Sequence, residues 1–227
     1  MNAATMTTTK APKNTKKSRA EIVKEVIPIP GGKVHGVTFD GKLVWYARDT
    51  EIVGFDPDTN EVVQRLAIPA ESGTAFDGKH LYQLAAGKIR VISPSDGRVI
   101  RELPAPPGKA NDNSGMAYAD GYLWVGQWRN AKIHQIDAKT GEVVKTLSSD
   151  RFVTGVSCVD GAVWHGVSND GSPSELRRLA QDGTVEEVIT FEEGVHVSGV
   201  ESNGKGAFWC GGEAGKLRLV REGIRIA

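Results

Sequence analysis

The 227 residues predict an all-β fold, and three observations carry that expectation. Apolar and polar residues alternate at period 2 and almost nowhere follow helical spacing. Turn signals built from Asp, Gly and Pro return roughly every eight to twelve residues. Most informative, the chain repeats itself.

Five segments open His35-Gly36-Val37, Ser72-Gly73-Thr74, Ser114-Gly115-Met116, Thr154-Gly155-Val156 and Ser198-Gly199-Val200. In each, a turn follows (DGK, DGK, ADG, VDG, SNGKG), then an aromatic residue: Trp45, Tyr82, Trp124, Trp164 or Trp209. A short variable loop leads to an alternating strand such as KIRVIS or KIHQID. A second turn such as DPDTNE or DAKTGE leads to a last strand such as EVVQRLAIP. The period is about 37 to 45 residues, which makes four short antiparallel strands per unit and five units.

Four-stranded units at this spacing are the signature of propeller blades, so the expected fold is a five-bladed β-propeller. Two β-sandwich domains are the structural alternative. The fifth unit has only three convincing strands, while EIVKEVIPIP, residues 21–30, has the pattern of a last strand yet precedes every unit. It is therefore expected to complete the fifth blade and remove an open sheet edge. The expected domains are a disordered basic leader at 1–20 and one propeller over 21–227. The blades span about 35–70, 71–111, 112–151, 152–194, and 196–227 with 21–30.

The glycine column, Gly36, Gly73, Gly115, Gly155 and Gly199, belongs on the innermost strands, where five backbones crowd an axis. The aromatic column is expected to pack between blades and not to form a stacking platform.

Composition bounds the rest. At 39% hydrophobic and 25% charged, the chain is long enough for a proper core. Lys plus Arg and Asp plus Glu are 28 each, but five of the basic residues sit in the first 20 positions with no acid among them. The body is thus mildly acidic and has no basic stripe for phosphate backbones, so no nucleic-acid partner is expected. The leader lacks the apolar run of a signal or membrane span, so a cytoplasmic protein without a membrane partner is expected. Cys158 and Cys210 are expected as free thiols. No GxSxG elbow, P-loop or dinucleotide glycine motif is present, which disfavours serine hydrolase, nucleoside-triphosphatase and nicotinamide chemistry.

In a blade, the loop entering the inner strand and the loop between the second and third strands share one face, and loops on a rigid scaffold carry function. The entry column reads His35, Ser72, Ser114, Thr154 and Ser198; two residues earlier stand Lys33, Ala70, Asp112, Phe152 and His196; Glu71 and Asn113 lie between. The second loops add Arg48, Asp49, Gln83, Gln127, Trp128, Arg129, His165, Ser168, Asn169, Asp170 and Glu213. A hydroxyl repeated at one position first suggests a structural cap. The departures from the repeat point elsewhere: His35 stands where every other unit has Ser or Thr, and His196 has no histidine counterpart. His35, His196, His165 and Glu71 are the expected catalytic groups. Arg48, Ser72, Gln83, Asn113, Gln127, Trp128, Arg129, Thr154 and Ser198 are the expected substrate contacts. The same set suits a divalent metal with His35, His196 and Asp112 as ligands, although no local ligand pair such as HExxH is present.

DGKHLYQL (77–84) and VDGAVWHGV (159–167) resemble the glutaminyl cyclase family of plant and bacterial type, whose members are five-bladed propellers. HGVTFDGKLVWYA and SGMAYADGYLWVGQ are more loosely similar to virginiamycin B lyase propellers. The cyclase resemblance implies acid/base cyclisation, and the lyase resemblance implies a histidine-held divalent metal at the propeller mouth. In the cyclases a Glu precedes the inner-strand Gly of the second blade; here that place holds Ser72, with Glu71 one residue earlier. The expected function is a non-redox elimination, cyclisation or ring opening on a small molecule or peptide end. A non-catalytic binding propeller is the alternative.

Overall fold

A computed structural model describes residues 15–109, 112–168 and 171–226. The described residues form twenty strands, and no helix among them is long and apolar enough to cross a membrane. After β1 (Lys16–Val26), the first sheet holds β2 (Val37–Phe39), β3 (Val44–Arg48), β4 (Glu51–Asp56) and β5 (Glu61–Leu66). The second holds β6 (Thr74–Phe76), β7 (Leu81–Ala85), β8 (Lys88–Ile92) and β9 (Val99–Pro104). In the third are β10 (Asn113–Ala119), β11 (Tyr122–Gln127), β12 (Lys132–Asp137) and β13 (Val143–Ser148). Next come β14 (Val153–Val159), β15 (Ala162–Val167), β16 (Glu175–Leu179) and β17 (Val185–Thr190), then β18 (Val200–Ser202), β19 (Ala207–Gly211) and β20 (Leu217–Arg225). These last seven strands and β1 make one eight-stranded sheet in the order β14-β15-β16-β17-β1-β20-β19-β18.

The seam of that large sheet is β1. It runs antiparallel to β20, with Glu21 opposite Arg221 and Val26 opposite Leu217, and parallel to β17, with Lys16 opposite Glu187 and Arg19 opposite Thr190. The strand starts at Lys16 and not at residue 21, so residues 15–20 are folded and the leader boundary expected at 20 is too late. Two ion pairs and one buried residue explain the difference. The Lys16 ammonium reaches Glu187 at 3.0 Å and Glu222 at 2.6 Å, and Ser18 is fully buried. The strand ends at Val26 because Pro28 and Pro30 have no N–H to continue the ladder. Residues 1–14 lie outside the described residues.

The innermost strands meet glycine to backbone. A Cβ on Gly36 would lie 2.4 Å from Thr74 N, on Gly73 2.5 Å from Met116 N, and on Gly115 2.5 Å from Gly155 Cα. On Gly155 it would lie 2.5 Å from Val200 N, and on Gly199 2.6 Å from Val37 N. Each glycine abuts the next inner strand and the last returns to the first, so the ring is closed.

The aromatic column lies between sheets, as its periodic position requires. Trp45 of β3 packs with Ile52 and Leu66 of its own sheet and with Leu81 and Ile92 of the next. Trp209 of β19 packs with Val34, Val37, Tyr46 and Phe55, and Trp164 lies 4.9 Å from the Phe208 ring. The DGK aspartates complete two of these contacts: Trp45 Nε1 donates to Asp40 Oδ2 at 2.6 Å, and Tyr82 OH donates to Asp77 Oδ2 at 3.0 Å. Cys158 and Cys210 are unpaired, and burial raises both thiols, that of Cys210 to about 12.

Two residues below the glycines the inner strands carry Thr38, Ala75, Ala117, Ser157 and Glu201. The Glu201 carboxylate accepts hydrogen bonds from Ser157 Oγ at 2.7 Å, Thr38 Oγ1 at 3.1 Å and Ser202 N at 2.8 Å, so it ties β18 to β14 and to β2. Burial nevertheless raises its pKa from 4.5 to about 7, against the opposing hydrogen bonds. The folded protein therefore keeps a proton that the unfolded chain has already released. That stabilisation is full below about pH 4.5 and is lost as pH rises through 7. Glu201→Gln, which does not ionise, is expected to gain about 2 kcal/mol on the wild type between pH 5 and pH 8.5. Urea unfolding of both proteins at the two pH values measures this, and a constant difference would refute it.

Candidate functional site

A cavity of about 780 Å³ opens at the face where the chain enters its inner strands. All five entry positions, His35, Ser72, Ser114, Thr154 and Ser198, line it, together with Lys33, Glu71, Asn113 and His196. The loops after the second strands contribute Asp49, Ala86, Trp128, Gly212 and Glu213. This volume suits a small molecule or the end of a chain.

The hydroxyl column is mostly structural. Ser72 Oγ donates to Asn113 O at 2.6 Å, Ser114 Oγ to Val153 O at 2.8 Å, and Ser198 Oγ to Val34 O. Each hydroxyl thus latches its inner strand to the carbonyl just ahead of the next unit's entry position. Thr154, 8% exposed, breaks the pattern, because its Oγ1 has no hydrogen-bond partner. His35 breaks it by chemistry. Its Nε2 lies 2.7 Å from Asp49 Oδ1.

Asp49 occupies the tight β3–β4 turn with φ at 42°, a left-handed backbone that Asp tolerates better than most residues. The turn is pinned by Ala70 N donating to Asp49 O at 2.7 Å. Spatial neighbourhood across fourteen residues was not visible in the chain, although the turn itself was.

Around this pair, Lys33 Nζ lies 3.8 Å from Glu213 Oε1, and Glu71 Oε2 accepts from Ala86 N at 3.4 Å. His196 Nδ1 lies 3.5 Å from Ser168 Oγ. Trp128 packs edge-on against Phe152 at 5.6 Å, and the Arg129 guanidinium lies 4.6 Å above its ring.

Six expected site residues do not reach the cavity. His165 is fully buried in β15, between Val156 and Arg177 of the flanking strands. Burial, then the neighbouring Arg177 charge, push its pKa down to about 3, so it stays neutral and sheltered from any substrate. Gln83, also fully buried, accepts from Thr74 Oγ1 and donates to Ser72 O and Leu84 O. Both are mid-strand residues whose alternation turns them into the packing. Arg48 turns back to donate to Gly31 O at 2.8 Å, and Arg129 stacks on Trp128 instead of entering. Gln127 is 1% exposed and donates to Pro107 O at 3.1 Å. Asp112 accepts from Lys109 N at 2.6 Å and Asn130 Nδ2 at 3.2 Å. The metal set of His35, His196 and Asp112 therefore does not assemble. Among the described residues, no three His, Cys, Asp or Glu side chains are grouped to hold an ion. Asn169 and Asp170 lie outside the described residues.

No family model matches the chain, and a search of curated proteins returns no match. Solved structures do match. The crystal structure of Myxococcus xanthus glutaminyl cyclase is similar at a TM-score of 0.74 and 17% identity, covering 94% of this chain and 100% of that one. The fold is that of a β-propeller. The propeller domain of Myceliophteria thermophila Cps50 (Swd1) is similar at 0.57 and 11% identity, over 90% of this chain and 100% of that one. The WD40 propeller of Doa1 is similar at 0.55 and 16% identity, over 84% of this chain and 64% of that one. Identities this low carry architecture and not substrate.

In this propeller the mouth brings together a histidine with a carboxylate partner, a second histidine and two further carboxylates. If Nε2–H donates to Asp49, the His35 Nδ1 keeps its lone pair and can take or return a proton.

Proposed function

We propose that the chain is a five-bladed propeller enzyme, with the eight-stranded sheet counted as two blades joined by β1. Its mouth performs acid/base chemistry without a redox step: an elimination, cyclisation or ring opening on a small molecule or peptide end. The observation that carries the reading is the His35–Asp49 pair, 2.7 Å apart on the wall of a cavity of about 780 Å³. His35 is the base, Asp49 holds its ring, and Glu71 and His196 are the candidates for the second proton transfer. The likeness to a glutaminyl cyclase supports the propeller scaffold, and the reaction rests on the residues of the mouth. The free cysteines fit a reducing, cytoplasmic setting.

The test is turnover by the purified protein on two panels: ammonia release from peptides that open with glutamine, and ring opening of lactones. Turnover on either panel that falls at least about a hundredfold in His35→Ala supports the reading. Silence on both panels, or a His35→Ala protein as active as the wild type, counts against it. A non-catalytic scaffold is the second reading, favoured by exposed Val63, Val99 and Val144 on the outer strands β5, β9 and β13. On that reading, changes at the outer strands alter partner capture and changes at the mouth do not.

A further inference from the structure

The third unit differs from the fourth at one cross-strand pair beneath the mouth. In the fourth, Val153 of β14 faces Val167 of β15, both fully buried, so an apolar pair satisfies the fold there. In the third, the same place holds two amides, Asn113 of β10 opposite Gln127 of β11, 8% and 1% exposed. The scaffold does not require them.

Their hydrogen bonds have a direction, fixed by two groups that can only accept. At one end, the Asp112 carboxylate accepts from Asn130 Nδ2 at 3.2 Å, which makes that nitrogen the donor to Gln127 Oε1, also at 3.2 Å. At the other, the Pro107 carbonyl accepts from Gln127 Nε2 at 3.1 Å. Gln127 Nε2 then also donates to Asn113 Oδ1 at 3.3 Å. One end of the Asn113 amide is thereby used. Its Nδ2 has no partner among the described residues and belongs to a side chain that lines the cavity.

We propose that Asn113 is the ligand-recognising donor of the mouth, held in donor orientation by Gln127 as a positioning residue, and that the ligand presents an uncharged carbonyl oxygen to it. This deepens the acid/base reading and rests on it. Charge disfavours a carboxylate ligand: Asp49, Glu71 and Glu213 line the same cavity, and Lys33, its only Lys or Arg among the described residues, lies against Glu213. The substrate class is an amide, lactam, ester or lactone that is neutral or cationic overall.

Two ring probes of similar size separate donor from acceptor recognition. N-methyl-2-piperidone only accepts, and piperidinium only donates. Binding is read from the Trp128 indole N–H resonance, assigned with Trp128→Phe, because Trp128 lines the cavity. The wild type is expected to bind the piperidone saturably. Asn113→Asp keeps an acceptor for Gln127 Nε2 and so keeps its fold, but it should weaken the piperidone at least about tenfold while piperidinium binds as well or better. Gln127→Glu turns the Asn113 amide round and should reproduce this reversal of preference with Asn113 intact. No piperidone binding by the wild type, an unchanged affinity in Asn113→Asp, or equal weakening of both probes would overturn the proposal. Loss of turnover in His35→Ala beside an unchanged piperidone affinity in Asn113→Asp removes the subsite alone; the reverse pattern keeps the subsite and removes the acid/base reading.

Discussion

Gly115→Ala is expected to prevent folding or to lower stability by more than about 4 kcal/mol, the range reserved for substitutions the backbone cannot absorb. The added Cβ would sit 2.5 Å from both Gly155 Cα and Val156 N, and neither is the movable end of a side chain. To make room, β10 and β14 must separate. Since every inner strand touches the next round the ring, the displacement reaches all five junctions. A control fixes the interpretation: a Cβ on Gly121, in the turn between β10 and β11, meets nothing within 4 Å. Gly121→Ala should therefore incur only the cost of a positive φ of 84°, about 1–2 kcal/mol. Thermal unfolding of the two variants measures the contrast, and equal losses would mean that the ring is not the fold's tight point.

The second large effect concerns rate. A positioned general base contributes about a hundredfold to ten-thousandfold, so His35→Ala should reduce turnover by that amount with little change in stability. Asp49→Asn should reduce it less, about tenfold to a hundredfold. The reason is exposure. A buried carboxylate that alone fixes a tautomer can be worth about ten-thousandfold, but the Asp49 side chain is 67% exposed, and water takes over part of its role. His35, 22% exposed at the side chain, keeps its place through the β2 entry, where His35 N donates to Ala47 O at 3.0 Å. Circular dichroism and kcat/KM of the purified variants separate a catalytic loss from unfolding.

Much of this architecture can be read from the chain, because it depends on features that repeat. The inner glycines, the aromatic column and the hydroxyl column recur at nearly fixed spacing; every inner glycine meets the next inner strand, and three of the four hydroxyls make the same latch. The closing strand was legible for the complementary reason: the last unit lacks an outer strand and the N-terminus carries a spare one. Its start was not. Lys16, Lys17 and Arg19 look like a solvated tail, because a strand at a seam presents charge on its outer side and hides only Ser18.

Residues that line the cavity were legible where the backbone alone decides their side. His35, Glu71, Asn113 and His196 follow from the entry position and line the mouth. Those on the second strands needed knowledge of how side chains settle between sheets. His165 and Gln83 share a column, and both fold into the packing. Arg48 and Arg129 sit close to the mouth in sequence, but each finds a nearer partner, a carbonyl in one case and an indole in the other. Asp49 escaped selection for the opposite reason. An exposed aspartate in a turn looks ordinary until the turn lays it against the one entry residue that can accept a proton.

The central claim is that His35 and Asp49 act as one unit at the propeller mouth. A double-mutant cycle on kcat/KM tests it most directly, using His35→Ala, Asp49→Asn and the double variant on whichever substrate turns over. If Asp49 works only through His35, the double variant should be no slower than His35→Ala alone. Losses that multiply, with the double variant slower by the product of the single effects, would show two independent residues and contradict the account.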